Sequence, residues 1–120
     1  MSEATTYVGS CHCGQVRYEV EIDLSKPAMT CNCSICLRTG TMLSFVPDGS
    51  FKLLSDEEAL TDYQFGKQRI HHLFCARCGV RSFARGQKPD GAKMVAINVR
   101  CLENVSLDQV PVKQIDGRSF

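Results

Sequence analysis

The sequence lacks any apolar run approaching the length that a membrane-spanning helix needs, which excludes a helical anchor within it. Its opening residues, Met1-Ser2-Glu3-Ala4-Thr5-Thr6-Tyr7, have neither the basic nor the apolar region of a secretory leader, so no signal peptide is expected. It also lacks an excess of charge of either sign. Fourteen Lys and Arg against thirteen Asp and Glu leave a net charge of +1. No global field therefore draws it to nucleic acid or a membrane surface, and no stretch interleaves basic with aromatic residues as nucleic-acid binders do. Internal repeats, low-complexity segments and linkers are missing too. With 120 residues there is no room for a second core, and residues 1–120 are read as one domain.

Cysteine, by contrast, is abundant. Eight are present, and seven fall in three tight clusters: Cys11 with Cys13, Cys31 with Cys33 and Cys36, and Cys75 with Cys78. Thiols one or two residues apart cannot easily close a disulfide with each other, because the bridge needs separated, facing Cβ atoms. They can converge on one tetrahedral metal ion, since a tight turn aims both sulfurs at one point. Without an export signal, such thiols belong in a reducing compartment, and a cytoplasmic location is expected. The spacing favours zinc.

Around these clusters the pattern is mainly β. Val16, Tyr18, Val20 and Ile22 alternate with Arg17, Glu19 and Glu21, the period of a half-buried strand. Met42–Val46 and Phe51–Leu54 read as strands separated by the turn Pro47-Asp48-Gly49. Ile70–Phe74 and Arg81–Arg85 should flank the Cys75–Gly79 turn as a hairpin. Val95–Cys101 alternates again, with Cys101 on the apolar face. Helix is expected only as short turns: one at Leu37–Gly40 stopped by glycine, and one where Ser55-Asp56-Glu57-Glu58 has the form of a capping box, before a strand-like Tyr63–Gly66. The tail from Val110 to Phe120 reads as largely irregular.

Cys75-x-x-Cys78-Gly79 is a zinc-knuckle pattern, and Cys11-x-Cys13-Gly14 is a tighter version. The two pairs together make a closed four-cysteine site, which is structural because saturated coordination leaves no place for substrate. Cys31, Cys33 and Cys36 are one ligand short of a tetrahedron, as a catalytic zinc requires. Three thiolates make zinc a weaker Lewis acid than three histidines would, so capture of an exogenous thiol suits the site better than hydrolysis. Alternatively Cys101, His71 or His72 closes this site and both metals are structural. Of the two histidines, one should face the core and one solvent.

Gly9-Ser10-Cys11-His12-Cys13-Gly14, Cys31-x-Cys33-x-x-Cys36 and Phe74-Cys75-x-x-Cys78-Gly79 together resemble the glutathione-dependent formaldehyde-activating enzyme family, over residues 9 to about 100. Centromere protein V carries a similar domain. Asn98–Leu102 and Asp116-Gly117-Arg118-Ser119 look like a bacterial branch of the family. The resemblance implies a tent-like fold of small β-sheets around two zinc ions per chain. It implies structural zinc at Cys11, Cys13, Cys75 and Cys78, and catalytic zinc at Cys31, Cys33 and Cys36. The implied activity is that of a carbon–sulfur lyase, joining glutathione and formaldehyde as S-hydroxymethylglutathione, with a small-molecule thiol as partner. The carboxylates of glutathione need cations, for which Arg38, Arg69, Arg77 and Arg100 are candidates. The competing reading is a zinc-stabilised binding module without catalysis.

Overall fold

Strand alternation sets the frame. In a computed structural model, which describes residues 4–65 and 70–116, β1 (Thr5–Ser10) and β2 (Arg17–Ile22) form an antiparallel hairpin across the Cys11–Gly14 turn. In β2, Tyr18, Val20 and Ile22 are buried while Arg17, Glu19 and Glu21 face water, as period two demands. A short strand, β5 (Phe51–Leu53), completes a sheet of order β1-β2-β5.

The second sheet has seven strands. β3 (Ala28–Cys31), β4 (Leu43–Pro47), β6 (Leu60–Tyr63), β7 (His71–Cys75), β8 (Phe83–Gln87), β9 (Lys93–Asn98) and β10 (Val112–Ile115) run in the order β10-β3-β4-β9-β8-β7-β6. All pairs are antiparallel except β10 with β3. Both sheets contribute to one buried cluster that includes Val16, Tyr18, Phe83, Val95, Ile97 and Val99. At its centre the rings of Tyr18, Phe51 and Phe83 lie 4.6 to 5.6 Å apart. The Tyr18 hydroxyl donates to the Ser82 carbonyl at 3.2 Å, tying the first sheet to the second.

Several sequence expectations shift. The helical turn is α1 (Ser34–Thr39), starting three residues earlier than expected and stopped by Gly40 in the left-handed region. The capping-box segment makes only a single 3-10 turn, Glu57–Ala59. Asp56 precedes it, because Ser55 spends its hydroxyl on the Arg17 N–H. β6 ends at Tyr63; Gly66 of the expected strand lies outside the described residues. The return strand begins at Phe83 rather than Arg81, and β9 stops at Asn98, whose side chain accepts the Arg100 N–H and turns the chain. Cys101 therefore sits in a 3-10 turn, half-buried, not on a strand face. The tail expectation is corrected over Val112–Ile115, which form β10, a parallel edge strand; residues 117–120 lie outside the described residues.

Candidate metal centres

Two turns at the ends of different sheets meet. The β1–β2 turn presents Cys11 and Cys13, and the turn after β7 presents Cys75 and Cys78. The four sulfurs all lie within 4.8 Å of one another. Gly14 and Gly79 adopt φ of 84° and 79°, a left-handed conformation that lets each chain reverse immediately after its cysteine pair. Cys11 and Cys13 sulfurs are 3.6 Å apart, as are those of Cys13 and Cys75. Zinc–sulfur bonds of the usual length at tetrahedral angles separate sulfurs by about 3.8 Å. The donor set fits that ion.

Backbone N–H groups solvate the sulfurs: Val16 donates to Cys11 at 3.3 Å, and Arg77 and Cys78 to Cys75 at 3.3 and 3.4 Å. The Val80 N–H, then that of Cys13, lowers the Cys78 thiol to about 6. Cys13 moves the other way, to about 11. The Gln15 N–H opposes this, but desolvation and the adjoining Cys11, Cys75 and Cys78 thiols prevail. Four thiolates at this spacing repel one another unless a cation sits between them.

The second cluster forms where β3 runs into α1. Cys31 ends β3, Cys33 caps the helix and Cys36 lies one turn along it, so one tight corner brings three sulfurs within 4.8 Å. The Cys33 N–H donates to the Cys31 sulfur at 3.4 Å. Burial pushes the Cys36 thiol up to about 12, helped by the Cys33 thiol beside it. Cys33 itself falls below the ordinary thiol value. Burial opposes the fall, and the N–H groups of Cys36 and Ile35, with the neighbouring thiols, outweigh it.

Among the described residues no fourth donor joins this group. The residues that could have closed it are engaged elsewhere. Cys101 directs its thiol at the Arg81 carbonyl at 3.7 Å. His71 is exposed and pairs through Nδ1 with Asp62 at 2.7 Å. His72 is buried, and its Nδ1 accepts from the Arg81 guanidinium at 2.7 Å. Burial, then the Arg81 charge, holds His72 below the usual histidine value, so the ring is neutral near pH 7.

Cys31 and Cys36 form part of the wall of a cleft of about 530 Å³, with Asn32, Thr41, Gln114 and Asp116 among its other lining groups. The Thr41 hydroxyl oxygen is buried there without a partner. A second cleft of about 330 Å³ lies beside α1, between Ser34, Ile35 and Arg38 on one side and Tyr63 and Phe65 on the other.

The cations expected for a substrate carboxylate fall differently. Arg38 is exposed and donates to the Ser34 carbonyl at 2.8 Å, Arg77 and Arg100 are exposed, and Arg69 lies outside the described residues. The cation whose charge acts on Cys33 and Cys36 is Arg81, which sequence reasoning passed over. The only signal was a charge placed three residues after Cys78, in a segment otherwise heading into the core.

Two β-sheets, with seven thiols gathered into two ion-sized clusters, define a small β protein whose cysteine clusters could hold metal ions. Residues 6–115 match the family described as glutathione-dependent formaldehyde-activating enzyme, and the chain belongs to that family. It is also similar to a protein of Rhodobacter sphaeroides known from a crystal structure, with 34% sequence identity and a TM-score of 0.75, covering 88% of this chain and 99% of that one.

Proposed function

We propose that this protein is a zinc-dependent enzyme of carbon–sulfur bond chemistry, acting on the adduct of a small thiol with an aldehyde, such as S-hydroxymethylglutathione. One observation carries the reading: three sulfurs converge with no fourth donor among the described residues, and two of the three cysteines, Cys31 and Cys36, line a cleft large enough for a peptide-sized ligand. A zinc ion held there would draw the proton from an incoming thiol and fix its sulfur.

The residues supply the rest. Cys31, Cys33 and Cys36 hold the catalytic ion, while Cys11, Cys13, Cys75 and Cys78 hold a structural one that joins the two sheets. The 530 Å³ cleft seats the body of the thiol, with Asn32 and Gln114 among its polar lining groups. The whole of residues 1–120 acts as one domain, in a reducing compartment such as the cytoplasm, with a small-molecule thiol as partner rather than nucleic acid or a membrane.

The test is Cys33→Ser with zinc counted per chain. Thiol-dependent turnover of the adduct should fall at least about a hundredfold, the order expected when a positioned metal is lost from the reacting centre. The four-cysteine zinc should remain. Turnover equal to that of the wild type would overturn the reading and favour a binding module.

A further inference from the structure

The cleft beside the three-cysteine corner carries a charge of the sign opposite to the one expected. Cys31 and Cys36 line it, and Asp116 is the one ionisable side chain besides cysteine among the described residues in its wall. No described Lys or Arg lines it. Arg38, the cation candidate nearest the cluster in sequence, lines the neighbouring cleft instead and donates to the Ser34 carbonyl at 2.8 Å. The cations that a carboxylate-bearing thiol would need are therefore not among the described residues of this wall.

Asp116 is placed there by the fold. β10 runs parallel to β3 with Ile115 opposite Cys31, and the Asn32 N–H donates to the Ile115 carbonyl at 3.2 Å. The next residue, Asp116, comes alongside Asn32, which stands between Cys31 and Cys33. The Asn32 side-chain amide donates to Asp116 Oδ1 at 2.9 Å. A neutral amide donor orients a carboxylate without cancelling its charge, so the bond holds a negative group in the wall next to the corner. The corner has the same sign. Three thiolates on a divalent ion leave a net negative charge, which a captured thiolate deepens. A thiol with carboxylates brings like charge into this cleft, whereas one with an ammonium meets opposite charge on the cluster and on Asp116.

We propose that the cleft selects an aminothiol, with its sulfur at Cys31, Cys33 and Cys36 and its ammonium group beside Asp116, which is the specificity-determining residue. The inference rests on the reading of that cluster as a thiol-capturing site. Within that reading it favours amine-bearing thiols over carboxylate-bearing ones. The volume of about 530 Å³ admits longer amines as well, and cysteamine is a short probe that carries both groups.

The experiment is calorimetric titration of the two-zinc protein at low salt with cysteamine, 2-mercaptoethanol and 3-mercaptopropionate. These share a two-carbon chain on sulfur and end in an ammonium, a hydroxyl and a carboxylate. Zinc content is measured before and after. The wild type should bind cysteamine about tenfold or more tightly than 3-mercaptopropionate. The thiols differ in acidity, so the deciding quantity is the change in this ratio between proteins, in which ligand acidity cancels. Asp116 is exposed, and its replacement leaves the core intact. In Asp116→Asn, which keeps an oxygen for the Asn32 amide, the ratio should fall about threefold or more, with 2-mercaptoethanol affinity and zinc content unchanged. In Asp116→Lys it should fall about tenfold or more, since attraction and repulsion change places. A wild type that binds 3-mercaptopropionate as tightly as cysteamine would overturn the inference without recourse to either variant. So would a ratio that stays at the wild-type value in Asp116→Asn or in Asp116→Lys. Binding of none of the three thiols would remove the thiol-capturing reading and the inference with it. Adduct turnover is assayed separately. A wild type that shows the preference but no turnover would sink the proposed activity while leaving selection by Asp116 standing.

Discussion

Gly9 is the most tightly enclosed of the described glycines. A Cβ built there would come within 2.2 Å of the Tyr18 ring, which is fully buried between the sheets and hydrogen-bonded to Ser82. The ring cannot withdraw without giving up that bond and its packing against Phe51 and Phe83. Gly9→Ala should therefore destabilise the zinc-loaded protein by about 1–3 kcal/mol, the usual cost of overpacking a tight core. Denaturant titration at fixed zinc measures this, and a midpoint matching the wild type would refute it. Legibility varies residue by residue. The cysteines are readable because metal chemistry fixes their type and spacing over a few positions. The half-burial of Arg81 is not, since its partners His72 and Asn98 are brought to it only by the folded chain. Glycine beside a cysteine suggests a turn, but the need for glycine at position 9 comes from a side chain across the hairpin.

At the scale of elements, β2 and α1 were legible for opposite reasons. In β2 a strict two-residue alternation separates core from solvent. In α1 the glycine at position 40 marks the stop, although the start was hidden because the helix buries no residue completely and so leaves no apolar periodicity to read. β10 was hidden more thoroughly. Val112, Lys113 and Gln114 are exposed, and an edge strand with one partner needs little apolar patterning. This strand nonetheless holds the three-cysteine corner. Ile115 is paired with Cys31, the Ala28 N–H donates to the Pro111 carbonyl at 2.8 Å and the Asn32 N–H to that of Ile115 at 3.2 Å. In that parallel register the Lys113 N–H faces the Ala28 carbonyl. Lys113→Pro removes this donor while changing only an exposed side chain, and should cost about 1–3 kcal/mol of local stability. Zinc should then leave the three-cysteine site faster under a chelator, with the four-cysteine zinc released at the wild-type rate. Equal release rates for both sites in the variant and the wild type would show that β10 does not brace the corner.

At the scale of the whole molecule, the two clusters make metal content and proton content one equilibrium. The four-cysteine site joins a turn of the first sheet to a turn of the second, so an ion bound there would contribute directly to the docking of the sheets. Metal binds thiolate, whereas in the metal-free chain Cys13 and Cys36 hold their protons to about 11 and about 12. At pH 7.5 each cluster must therefore expel at least one proton on loading, and zinc affinity falls as acid is added. Each displaced proton weakens apparent affinity about tenfold per pH unit below the thiol's own value. Cys78, lowered to about 6, is already thiolate at pH 7.5 and releases nothing there, but below pH 6 it too must lose a proton for the metal to bind. The four-cysteine site should accordingly show a steeper loss of affinity below pH 6 than above it. Competition against a chelator of known acidity between pH 5 and pH 8, read as bound zinc, measures both slopes. An affinity that changes by less than tenfold per unit above pH 6 would mean that the metal-free thiols are already ionised, and that the N–H groups around the sulfurs, rather than the metal, stabilise their charge.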